Sequence, residues 1–132
     1  MLIRDHEGGF RAACQHQLPG LALPEYAEAL ALRRAVSFAR EEGVDRAIFA
    51  TDCLSLVQRL NSSEMDRSSV GLVVEGIRFL ARDFSMISFV HIKRSLNEAT
   101  HLLARSCNSV LSSDIFHSVP EFIRRTICIG VI

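Results

Sequence analysis

The residues of this chain best placed to do chemistry are two acids, Glu28 and Asp52. Pro24, followed by Glu25 and Glu28, and Gly43 at the far end match the asymmetry of helix starts and stops, so this stretch predicts a helix with well-marked ends. Ala31, Leu32, Ala35 and Ala39 recur at helical spacing on its apolar face, while Arg33, Arg34, Arg40 and Glu41 fall mostly elsewhere. Glu28 shares the apolar face, where a carboxylate is expensive unless something compensates it. Arg46 to Thr51 is a brief apolar run whose shortness predicts a buried, parallel strand, and it delivers Asp52 at its end. Two acids converging on one sheet edge are the first functional candidate. Each also has a structural use: Glu28 complements the helix dipole, and Asp52 is suited to cap the helix that follows.

These acids need a scaffold, and the totals bound it. A chain of 132 residues fits one domain with a single hydrophobic core. Hydrophobic residues make up 48% and charged residues 23%, which excludes disordered and fibrous classes. With 15 basic and 15 acidic residues, any nucleic-acid surface is a local patch rather than a basic chain. Cys14, Cys53, Cys107 and Cys128 form no C-x-x-C pair, so they read as small buried residues of a reducing compartment. Arg4, Asp5 and Glu7 interrupt any leader-like start, and no apolar run approaches the ~18 residues that span a bilayer. An intracellular protein without a membrane partner is expected, nuclear or cytoplasmic.

In chain order, Leu2 to Arg4 and Phe10 to Leu18 flank an acidic, glycine-containing turn and predict a hairpin. The helix and strand already described come next. Cys53, Leu56, Val57 and Leu60 predict a short second helix, and the polar stretch Asn61 to Ser68 a loop. Val70, Val73, Val74, Ile77, Leu80 and Ala81 mark a third helix, Ser85 to Lys93 a strand, and Leu96 to Val110 a last amphipathic helix. Beyond Leu111, Pro120 is placed to open a short helix. The expected organisation is a domain over residues 1–110 with a tail over 111–132, and the element order implies an α/β layer fold with a mixed sheet.

Four motifs carry a resemblance: Ile3-Arg-Asp-His-Glu-Gly, Ala27-Glu-Ala-Leu-Ala-Leu, Ala50-Thr-Asp-Cys-Leu-Ser-Leu-Val and Arg94-Ser-Leu-Asn-Glu-Ala-Thr-His-Leu-Leu-Ala. In this order and spacing, from Leu2 to about Cys107, the chain resembles the plant ribonuclease H-like domain of retrotransposon-related reverse transcriptase proteins. The resemblance implies a five-stranded mixed sheet flanked by helices, and hydrolysis of the RNA strand of RNA–DNA hybrids with magnesium or manganese. In that chemistry carboxylates hold two cations about 4 Å apart, one activating water and one stabilising the leaving oxygen. Carried over by motif, Glu28 and Asp52 are metal-binding and catalytic. His101 stands where the family has its last metal-binding aspartate, and His91 and Arg94 are placed to approach the phosphate.

Two departures matter. An imidazole at His101 brings no negative charge and is softer than magnesium prefers. The family's first strand, with its central aspartate, should precede Leu2 and is not in this sequence; Asp5, in the hairpin turn, does not replace it. An amino-terminally truncated copy is therefore expected, with open sheet neighbours that favour self-association. With two of the family's four acids present, cleavage is expected to be weak or lost. The alternative is an inactive nucleic-acid-binding or protein-interaction module on the same scaffold. By themselves, His101 reads as a packed or surface histidine and Lys93-Arg94 as a solvated strand end.

Overall fold

A computed structural model describes residues 1–16, 23–105 and 113–120. The helix expected from Pro120, together with Cys107 and Cys128, lies outside them. The chain divides into two compact units, one formed by residues 1–19 with 93–132 and one by residues 20–92.

In the first unit, β1 (Leu2–Arg4) and β2 (Phe10–His16) form the expected hairpin, with a bulge between Ile3 and Arg4. Asp5 builds its turn: one carboxylate oxygen accepts the N–H groups of Glu7 at 3.0 Å and Gly9 at 2.7 Å. Gly8, at φ 82°, supplies the left-handed residue such a turn needs. Ala12, Ala13, Cys14 and Gln15 are all buried, because β2 is the middle strand of three. Its other neighbour is the antiparallel strand Ser113–Phe116, in the stretch expected to be tail. Gln15 Nε2 donates to Asp114 Oδ2 at 3.0 Å across that pairing. The last helix opens as a 3-10 turn at Arg94–Asn97 and continues as an α-helix, Glu98–Arg105, burying Ala99 and Leu103.

In the second unit, α1 (Pro24–Glu41) leads through Gly43, at φ 73°, into β3 (Arg46–Thr51). There follow α2 (Leu54–Asn61), α3 (Ser69–Ala81) and β4 (Met86–His91), the last pairing in parallel with β3 from Arg46↔Met86 to Thr51↔His91. The helices pack α1 on α3, and α1 buries Ala29, Leu32, Ala35, Val36, Phe38 and Ala39. Ala31, expected on the buried face, is exposed. Phe49 stacks on Phe89 at 5.7 Å and meets Phe84 edge-on at 6.0 Å, tying β3, β4 and the turn before β4 into one apolar layer.

The fold class is α/β, and the elements come in the expected order with a fifth strand added. A single mixed sheet was the expectation. Among the described residues the strands form two sheets instead, one antiparallel (β1, β2 and the Ser113–Phe116 strand) and one parallel (β3 and β4), since no described strand joins them. No described helix is long and apolar enough to cross a membrane.

Acid should loosen the start of the parallel sheet. Asp45 takes the Ser85 hydroxyl at 2.5 Å and the Ser85 N–H at 3.2 Å, and these bonds, the hydroxyl first, hold its carboxyl below the usual value of 3.8. A depressed carboxyl contributes stability that is fully present above its unfolded pKa and is lost as pH falls through the folded value. Thermal midpoints should hold from neutrality to about pH 5 and then decline, and Asp45→Asn should make that decline shallower. Equal acid slopes for the two proteins would refute the role of Asp45.

Candidate functional site

Glu28 lies on the second turn of α1, and Asp52 directly follows β3. Glu25, in the first turn of α1, accepts the Ser55 hydroxyl of α2 and pairs with Arg59 Nε at 2.8 Å. The opening of α1 is thereby held against α2, with Glu28 one turn further along α1 and Asp52 just before α2. Both acids are half-buried, a compromise between holding a carboxylate near the core and keeping it hydrated.

Asp52 does not cap α2. Cys53 is the N-cap residue and no side chain caps the helix, because the chain stays extended one residue longer than expected. Buried Thr51 satisfies the turn instead, its hydroxyl accepting the Cys53 N–H at 3.2 Å. His91 is opposite Thr51 in the parallel register and is exposed. Asp52 and His91 thus stand at the carboxyl ends of the paired strands β3 and β4, the end where open α/β sheets receive ligands. His101, half-buried on the last helix, and Arg94, exposed at its 3-10 opening, belong to the first unit.

Glu28 and Asp52 offer the hard oxygens that magnesium takes. Among the described residues there is no group of three or more histidine, cysteine, aspartate or glutamate side chains able to hold a metal ion. A two-cation centre needs more carboxylates than these, so the described residues do not fit one.

The sequence reading missed a clamp on the loop between α2 and α3. Arg59 pairs with Asp66, and Arg78 donates to the carbonyls of Arg59, at 2.8 Å, and of Ser62. Asp66 accepts the Ser68 N–H at 2.8 Å, and this bond above all keeps its carboxyl below the usual value. Ser68 caps α3 by accepting the Gly71 N–H at 3.1 Å. An open cavity of about 580 Å³ lies under this loop, lined by Arg59, Asp66, Arg67, Glu75 and Arg78 among others. The local signal was Ser68 ahead of the apolar run of α3; the arginine pairings are non-local and leave no mark in the pattern.

The Reverse transcriptase-like family matches residues 1–107 of the chain. No curated protein and no solved structure matches it.

Proposed function

Since the chain belongs to the Reverse transcriptase-like family, a family of ribonuclease H-like domains, we propose that it is a nucleic-acid-binding domain for RNA–DNA hybrids whose metal-dependent cleavage is weak or lost. What supports this reading is that Glu28 and Asp52 occupy the family's motif positions, while among the described residues no group of three or more histidine, cysteine, aspartate or glutamate side chains gathers to hold a metal. The pair retains a handhold for magnesium or manganese without the charge a two-cation centre requires. His101 brings an imidazole to the family's motif, which cannot supply negative charge. The four motifs further favour the plant, retrotransposon-related branch.

On this reading, Arg94 and His91 serve binding rather than catalysis. Arg94 is exposed at the opening of a 3-10 turn, where a guanidinium can take a backbone phosphate. Fluorescence anisotropy with a labelled RNA–DNA hybrid tests this. Arg94→Ala should weaken binding several-fold and reduce the slope of log affinity against log salt by about one. His91→Ala should have a smaller effect. No measurable hybrid binding by the unaltered chain at low salt would sink the proposal.

A further inference from the structure

Arg59, on α2, stands between two acids from separate elements. Its Nε pairs with Glu25 in the first turn of α1 at 2.8 Å, and its Nη1 pairs with Asp66 in the loop between α2 and α3. Glu25 is engaged through both oxygens, Oε1 by Arg59 and Oε2 by the Ser55 hydroxyl. Ser55 and Arg59 are four residues apart on α2, so the two donors come from one face of that helix. The backbone behind Arg59 is fixed as well, because Arg78 Nη2 donates to the carbonyls of Arg59, at 2.8 Å, and of Ser62. Glu25, Arg59 and Asp66 are all half-buried, which spares the pairs part of the solvent screening that weakens surface pairs.

These pairs bear on two helix starts that lack caps of their own. Leu23 and Cys53 occupy the cap positions of α1 and α2, and neither side chain bonds a helix N–H. Helices fray at such ends. The Glu25 carboxylate, laid against the first turn of α2, also complements the dipole of that helix. We propose that Arg59 joins the loop and the opening of α1 into one cooperative unit, so that a change at Asp66 is felt at Glu28, three residues beyond Glu25. The guanidinium is a rigid planar fork: held at one edge, it has its other edge already aimed, and the rotamer freedom of Arg59 is lost once for two pairs. Freed from Asp66, the side chain regains that freedom and loosens its grip on Glu25. A cationic group that draws Asp66 away from Arg59 therefore loosens the part of α1 that bears Glu28. The inference does not rest on the nucleic-acid reading.

Amide hydrogen exchange of the full chain, read by NMR at Ala27, Glu28 and Ala29, tests it. The Ala27 N–H bonds to the Leu23 carbonyl at 3.0 Å, and the next two amides continue the helical ladder. Asp66→Asn, a change in the loop, should speed exchange at these three amides about fivefold and leave those of Val36 and Phe38, further along α1, unchanged. Arg59→Met should speed the same amides at least as much, and adding Asp66→Asn to it should bring no further change. Arg59→Lys keeps the charge without the planar fork, so it should remove the effect of Asp66→Asn even where Arg59→Met fails to fold. Circular dichroism at the exchange temperature identifies the folded variants. Exchange unchanged in Asp66→Asn, or slowed, as competition of two acids for one guanidinium would give, would overturn the proposal. So would a speeding spread evenly along α1, or an Asp66→Asn effect that persists in the Arg59 variants.

Discussion

Gly71→Ala should destabilise the second unit by about 3 kcal/mol, lowering the thermal midpoint by about 10 °C. A methyl at this position would stand 2.0 Å from the Asp66 carbonyl oxygen and 2.6 Å from its carbon, so the obstacle is backbone and no rotamer change relieves it. The loop from Ser62 to Ser68 would have to lift from α3, straining the Arg59–Asp66 pair and the bonds from Arg78 that hold it. The glycine is there for close approach, not for backbone freedom. Gly76 in the same helix is the control, because a methyl there meets only Arg33 Cδ at an ordinary 3.6 Å. Gly76→Ala should be neutral or stabilising by up to ~1 kcal/mol from helix propensity. Thermal melts of both variants decide the matter, and a Gly71→Ala midpoint equal to that of the unaltered chain would contradict the loop's packing.

Phe38→Ala should cost about 3–5 kcal/mol. Phe38 is fully buried near the end of α1, among the largest side chains withdrawn from water, with the Arg34 guanidinium 5.7 Å from its ring centre. Removing the ring leaves a cavity where α1 is held to the rest of the unit, and α1 is the element that carries Glu28. Destabilisation should therefore be accompanied by loss of hybrid binding as the melt approaches working temperature. Phe38→Leu should recover most of the stability. Phe79, exposed to 67% on α3, supplies the contrast: Phe79→Ala should change stability by no more than about 0.5 kcal/mol in chemical denaturation. Equal costs at the two positions would show that the core is misplaced.

The parts of this fold legible in the sequence were those fixed by neighbours in the chain. Pro24 and Gly43 mark the limits of α1 closely, and the alternation from Met86 to His91 marks β4. The buried face of α1 was partly misread, because Ala31 and Ala29 are chemically alike and only the position of α3 selects the second. The capping role given to Asp52 failed for a local reason, a one-residue extension that passes the position to Cys53. The strand Ser113–Phe116 was missed because it is short and its partner, β2, lies almost the whole chain away. Glu28 and Asp52 were legible as positions on a helix and just after a strand, both of which form where the sequence places them. The Arg59 and Arg78 clamp was not, because ion pairs between a helix and a distant loop impose no periodicity.

The measurement that tests the central claim most directly is incubation of an end-labelled RNA–DNA hybrid with the 132-residue chain in magnesium or manganese, reading retention and cleavage in the same samples. A Glu28→Gln, Asp52→Asn double variant is run beside it. The account predicts a retained hybrid with its RNA strand intact in magnesium, and cleavage in manganese no greater than a trace that the double variant abolishes. Efficient magnesium-dependent cleavage, lost in the double variant, would contradict it and show that these two acids suffice for hydrolysis.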